Sequence, residues 1–402
     1  MTKQQIFFVI DSLAVGGAEK SLLTLLSVLD YERFEVDVQL FGYGGKLQQY
    51  LPREARLLPP LPPTRFLSLP RWRKLLSLKL SWLWAGWRYS QAVAKPGLSH
   101  ADRARLYWTH FSQFFPQTER YDVAVAYAQE LPTLYVADKV QAKQKFAWVN
   151  VSYSPKGVNH DYYGSYYNLY DQIVTVSPSA KEAFVQTYPD FQSKTVVIRD
   201  MYDSKMIERM SLIDCQVHLD TDVPTLLTMA RLKREQKGYD ISLEACRLLK
   251  ERGIKFRWFV LGEGPYRQEM EQYIRLHHLE DTFVLLGALV NPYPVLRQCK
   301  LYVQTSRYEG FGLSIAEARI LNKPVVTTEF DAVYAQMVPG ENGLVVPQNP
   351  VAVADAIERM LSDAALYQHI VDYQKQEKKS NTEEIEKFYQ LIEYVHEATT
   401  GF

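Results

Sequence analysis

Three cysteines in 402 residues are too few for a disulfide framework, and Cys215, Cys246 and Cys299 lack metal-ligand spacing. They read as structural thiols of a reducing cytoplasm. No apolar run reaches the roughly 18 residues of a membrane-spanning helix, so none is expected. The opening MTKQQIFFVID turns acidic too soon, at Asp11, for a secretory signal. Neither charge is in excess: 46 Lys and Arg face 46 Asp and Glu, which argues against a general nucleic-acid binder. Repeats and low-complexity tracts are absent apart from LLPPLPP at 57–63, a stiff turn. With 47% hydrophobic and 23% charged residues, the composition excludes disorder and a fibrous fold. At ~100–200 residues per domain, the length implies two or three domains.

One absence is local. From Ala55 to Ala101 there is no Asp or Glu, while Arg56, Arg65, Arg71, Arg73, Lys74, Lys79, Arg88 and Lys95 all fall there. Five of the seven tryptophans lie between Trp72 and Trp108. A basic, Trp-rich amphipathic stretch is the pattern of a helix lying in a membrane interface. The competing readings are a core-covering helix with snorkelling Arg and Lys stems and a nucleic-acid patch.

Strand and helix patterns alternate along the chain. Apolar, β-branched runs at Gln5–Asp11, Val36–Phe41, Tyr121–Tyr127, 146–151, Gln172–Val176 and Thr195–Arg199 predict buried parallel strands. A second series follows at Thr225–Ala230, Phe256–Leu261, Thr282–Gly287, Leu301–Thr305 and Pro324–Thr328. Helical spacing fills most of the gaps, and the tail from Val351 reads as helical with a charged break at 375–381. The expectation is two doubly wound, Rossmann-like α/β domains facing a central cleft. The patternless stretch 200–222 reads as their linker.

Residues that carry chemistry stand at strand ends. Glu309 follows one strand, the Gly310-Phe311-Gly312 turn permits close ligand approach, and Glu317 lies about one turn into the next helix. The two carboxylates can face one cleft at different depths; a lone Glu pair would read as solvated surface, and the glycines between them favour a site. Arg231 and Lys237 follow another strand and suit a diphosphate, Arg as a fork and Lys as a point charge; alone they read equally as a basic loop. Gly16-Gly17 opens a helix after the first strand without completing GxGxxG, which disfavours a dinucleotide fold. Gly262-Glu-Gly264-Pro265 is a similar turn. Tyr153, Tyr162, Tyr163, Tyr166 and Tyr167 read as a sugar-stacking surface or as core and rim, and His160 as a cleft or an exposed loop residue.

In this order, the pieces resemble the retaining glycosyltransferases of family four, of GT-B fold, of the bacterial cell-surface polysaccharide type. The resemblance covers nearly the whole chain, and its most specific element is the Glu-x7-Glu motif, here Glu309 and Glu317. It implies an acceptor-binding domain at 1–205, within which the basic, Trp-rich pattern marks a membrane-facing stretch at 65–110, a nucleotide-sugar domain at 220–383, and a helix at 384–402 returning to the first domain. Arg231 and Lys237 would hold the donor diphosphate, and Glu317 the ribose hydroxyls. Glu309, with backbone amides at Phe311, Gly312 and Leu313, would hold the donor sugar. Gly16, Gly17 and Gly262 would line the nucleotide. Many relatives carry a His where this chain has Asn150, which can donate a hydrogen bond but cannot take a proton at neutral pH. The resemblance further implies a nucleotide-sugar donor, UDP first and GDP or dTDP next, and no metal. The acceptor would be a lipid-linked or cell-surface glycan, reached from the cytoplasm at the inner face of the plasma membrane. A non-catalytic partner or chaperone subunit, and a sugar-nucleotide epimerase of the same fold, are the alternatives.

Overall fold

The computed structural model describes residues 3–76, 79–150, 159–215, 217–219 and 222–400. The chain forms two compact units, one of residues 1–199 and 383–402, the other of residues 200–382.

The first unit runs β1 (Gln4–Ser12), α1 (Gly17–Val28), β2 (Phe34–Gly42), β3 (Ala55–Leu57), α2 (Pro62–Ser68), α3 (Arg71–Leu76), α4 (Leu80–Val93), α5 (His100–Phe111), β4 (Arg120–Ala126), α6 (Leu131–Lys139), β5 (Gln141–Val149), α7 (His160–Tyr167), β6 (Gln172–Thr175), α8 (Pro178–Thr187) and β7 (Thr195–Val197). Its seven strands form a sheet of order β3-β2-β1-β4-β5-β6-β7, parallel throughout. Ile6 to Ile10 of β1 are at most 2% exposed. Such continuous apolar runs are what a sheet covered on both faces requires.

The second unit runs α9 (Ser204–Ser211), β8 (Thr225–Met229), α10 (Arg234–Lys237), α11 (Tyr239–Glu251), β9 (Arg257–Leu261), α12 (Arg267–Leu276), β10 (Phe283–Gly287), α13 (Tyr293–Gln298), β11 (Leu301–Gln304), α14 (Leu313–Ile320), β12 (Val325–Thr328), β13 (Gly343–Val346), α15 (Pro350–Ser362) and α16 (Ala364–Gln376). Its sheet is again all parallel, of order β10-β9-β8-β11-β12-β13. The burial of Cys246 and Cys299 here pushes both thiols up to about 12, so they stay protonated.

In each sheet the strand order reverses once, between β1 and β4 and between β8 and β11. Open α/β sheets bind ligands beyond the carboxyl ends of the strands at such reversals. The chain returns to the first unit as α17 (Ile385–Thr400). Phe388 of this helix lies 6.0 Å from the Phe8 ring and 6.1 Å from Trp148. Tyr389 stacks on Phe34, and its hydroxyl accepts the Asp30 amide at 2.9 Å.

Three sequence expectations change. The stretch read as a linker is partly built into the second unit: α9 buries Ile207 and receives the Asn291 side-chain amide on the Met210 carbonyl at 2.8 Å. Its three apolar residues, Met206, Ile207 and Met210, stand among polar neighbours, which hid it. Strands β3 and β13, three and four residues long, escaped a reading that looks for longer runs. Arg56 leaves the basic patch, because it grips Asp37 with two hydrogen bonds of 2.7 and 2.6 Å.

Candidate functional site

The residues gathered at the β8/β11 reversal form a connected polar network. Lys237 is the last residue of α10, and Gly238 after it adopts φ +60. A Cβ at Gly238 would lie 2.0 Å from the Thr305 carbonyl oxygen, so only glycine permits this backbone approach. The Thr305 hydroxyl donates toward the carbonyls of Lys237 and Gly238 at 3.1 and 3.0 Å. The turn thus aims Lys237 at the end of β11. Its ammonium contacts Glu309 Oε1 at 2.5 Å, and the two side chains are only 15% and 8% exposed.

The same oxygen accepts from Gln304 at 2.9 Å and from the Ser306 hydroxyl at 2.6 Å. Gln304 Oε1 accepts in turn from Tyr302 and from Ser314, each at 2.9 Å. Burial raises the Tyr302 phenol well above its ordinary range, which keeps it a donor. Charge-assisted bonds on one oxygen offset the desolvation of a buried carboxylate.

The turn behind Glu309 is held as firmly. Gly312 has φ +86 and precedes α14, which has no side-chain cap. Gln336 donates to the carbonyls of Phe311 and Gly312 at 2.6 and 3.1 Å. An uncapped helix start leaves backbone N–H groups suited to an anionic or hydroxyl-rich ligand. Leu313 opens this helix, and Glu317 lies one turn further, 3% exposed, accepting the Tyr293 hydroxyl at 2.9 Å. Tyr293, on α13, and Gln336 were not singled out from the sequence; no motif marks a residue whose only role is to orient another.

Arg231 follows β8 and is exposed. The Gly262-Gly264 turn packs on the backbone beside it: a Cβ at Gly262 would meet the Ala230 oxygen at 1.9 Å, and one at Gly264 the Leu232 oxygen at 2.5 Å. These glycines set the path of the loop that carries Arg231.

The first unit places its candidates at the β1/β4 reversal. Gly16 is extended and caps α1, and Gly17 is that helix's first residue. Asn150, just past β5, donates to the Tyr127 carbonyl at 2.6 Å. Tyr127, just past β4, stacks on Trp148 at 4.7 Å, and its hydroxyl lies 2.9 Å from Ser21 of α1. Tyr127 therefore ties the glycine-led helix to Asn150, a link the sequence did not announce. Tyr163 and Tyr167 are core residues, Tyr162 and Tyr166 are half-buried, and Tyr153 lies outside the described residues. His160 begins α7, half-buried against the Tyr188 ring. Among the described residues no group of three metal-ligating side chains converges.

A model of the family described as glycosyl transferases group 1 matches residues 213–377. An alpha-D-kanosaminyltransferase of Streptomyces kanamyceticus is 30% identical over 38% of this chain and 40% of its own length. A poly(ribitol-phosphate) alpha-N-acetylglucosaminyltransferase of Staphylococcus aureus is 30% identical over 32% of this chain and 27% of its own. The chain thus aligns with less than half the length of these curated relatives. Among solved structures, Anabaena Alr3699/HepE with UDP and glucose has TM-score 0.68 at 18% identity, covering all of both chains. A TarM mutant from S. aureus, in complex with fondaparinux, alpha-GlcNAc-glycerol and UDP, has TM-score 0.67 at 15% identity over 97% of this chain and 99% of its own. With its two parallel sheets and its likeness to these structures, this chain has the GT-B fold, and residues 213–377 match the model of the glycosyl transferases group 1.

Proposed function

We propose that this protein is a retaining glycosyltransferase that moves a sugar from a nucleotide sugar, UDP-linked in the first instance, to a lipid-linked or cell-surface glycan. The observation that carries the reading is the Lys237–Glu309 pair beside the uncapped start of α14, within the family-matched residues. Lys237 and Arg231 hold the donor diphosphate and offset the charge that grows on it as the glycosidic bond breaks. Glu309 and the amides around Phe311, Gly312 and Leu313 hold the sugar. Glu317, fixed by Tyr293, accepts from the ribose hydroxyls. Cations and helix-start amides perform the charge neutralisation for which other transferases use a metal ion, so none is required. Gly16, Gly17 and Asn150 belong to the acceptor-binding unit, and attachment is peripheral, at the inner membrane face. Solved neighbours that carry UDP support the choice of nucleotide.

The test is a thermal-shift screen with UDP, GDP, dTDP and CMP, followed by hydrolysis of the matching nucleotide sugars. A ligand at 100 times its Kd adds about 2.7 kcal/mol of stability, so UDP should produce a clear shift. Lys237→Ala should lose ~10²–10³-fold in turnover. Failure of every nucleotide to shift the protein would refute the assignment. A second reading is favoured by Asn150, whose amide is committed to Tyr127 and takes no proton: a nucleotide-binding partner subunit. It would show nucleotide binding with neither transfer nor hydrolysis.

A further inference from the structure

Helix α4 is apolar on two opposite faces. Its inner face carries Trp82, Ala85 and Tyr89. Trp82 lies 5.1 Å from Phe66 and 4.9 Å from Phe114, Tyr89 meets Tyr107 and Phe111, and Ala85 is 2% exposed. That face completes the core, so it accounts for the helix as a structural element. It does not account for Leu80, Trp84 and Trp87, at helical spacing on the other side and 74%, 58% and 60% exposed. A helix apolar all round is ordinarily covered all round.

Along the chain that carries this face the charge is of one sign. The Arg88 guanidinium sits 4.7 Å from the Trp84 ring centre. On α3, just before it, Arg73 sits 4.9 Å from the ring of Trp72, itself 57% exposed. No acidic residue occurs between Glu54 and Asp102, although the whole chain is neutral. Tryptophan rings with adjoining cations suit the headgroup layer, where the ring meets the acyl boundary and the cation meets phosphate. A face built to bind a neutral protein would not need the acid-free surroundings.

We propose that the outer face of α4, with Trp72 and Arg73 of α3, is a docking surface for an anionic lipid bilayer, in which Trp84 and Trp87 enter the headgroup layer. This deepens the membrane-acceptor reading by naming the surface and its lipid chemistry. Each cation near an anionic leaflet raises affinity about fivefold, and the rings supply attachment that salt does not screen.

The experiment is flotation of the full chain with vesicles of phosphatidylcholine alone and of phosphatidylcholine with phosphatidylglycerol. Binding is expected only to the anionic vesicles, with quenching of tryptophan fluorescence by brominated acyl chains. Trp84→Ser with Trp87→Ser should weaken binding at least tenfold, and Arg73→Glu with Arg88→Glu by as much with a flatter salt dependence. All four side chains are exposed, so neither pair should move the melting temperature. The UDP-induced thermal shift should persist in both variants, which separates failure here from failure of the transferase reading. Absence of vesicle binding, equal binding to neutral vesicles, or unchanged binding by both variants would overturn the proposal. So would self-association that the Trp pair abolishes, since a second copy would then be the occupant.

Discussion

At the ends of β8 and β11 the second unit gathers a buried ion pair, Lys237–Glu309, with amide and hydroxyl donors around it, and a second buried carboxylate, Glu317, held by Tyr293. Past β4 and β5 the first unit gathers neutral groups and rings, Tyr127, Trp148 and Asn150, with a single buried carboxylate, Glu19, in the first turn of α1. Both units use the same parallel-sheet plan with the same reversal of strand order, so the fold does not decide the chemistry. On the proposed reading the contrast has a cause. A diphosphate is the same in every donor and can be met by a fixed set of charges. An acceptor differs from enzyme to enzyme. The family match falls on the charged unit and not on the aromatic one.

The sharpest way to break this contrast is Lys237→Met. It removes the Lys237 cation from Glu309 in a site 8% exposed, although Gln304 and Ser306 still donate to that oxygen, and loss of one partner of a buried pair costs about 3–5 kcal/mol. Urea unfolding should show that loss. Adding Glu309→Gln should restore much of the stability and none of the donor hydrolysis. A single variant as stable as the parent would mean that the pair does not organise the site.

Next in size is Gly262→Ala. The new methyl would overlap the Ala230 carbonyl at 1.9 Å, so the loop must move, at a cost of about 2 kcal/mol or more. Because that loop carries Arg231, the variant should also need about tenfold more UDP for the same thermal shift. In the first unit, by contrast, Asn150→Ala removes one neutral hydrogen bond, worth about 1 kcal/mol. It should leave UDP affinity unchanged; a large loss of affinity there would dissolve the distinction between the two units.

The smallest effect concerns pH. Arg247, bonded to Glu244, draws that carboxyl down to about 2. A depressed carboxylate stabilises the fold fully above its unfolded value of about 4.3 and loses that contribution as pH falls toward 2. Glu244→Gln should therefore flatten the stability of the second unit below pH 4.3. The effect should stay under about 1 kcal/mol, because the pair is partly exposed and screened by solvent.

Much of this was legible in the sequence, for a physical reason. A parallel strand buried on both faces must be apolar along its whole length, so runs such as IFFVI and TLLTM announce themselves. Glycines beside strand ends announce turns, and Glu309, Glu317, Arg231 and Lys237 stand at fixed offsets from those turns. What stayed hidden was support. Gln304, Ser306, Tyr293 and Gln336 act through the geometry of the residues they hold, and their partners lie up to 25 positions away in the chain. The two-faced character of α4 was hidden too. Periodicity shows that a helix has an apolar side, and only packing shows that Trp82 is already inside while Trp84 is not.

The return of the chain at α17 has a consequence for how the molecule is made. Phe8 of the first sheet packs against the ring of Phe388, which follows it by 380 residues and is synthesised only after the whole second unit. Through most of translation the first sheet must wait with part of its face open, while the second unit, an uninterrupted stretch from 200 to 382, can close as soon as it emerges. A nascent chain arrested before residue 385 should hold a protease-resistant second unit beside a first unit that chaperones still recognise.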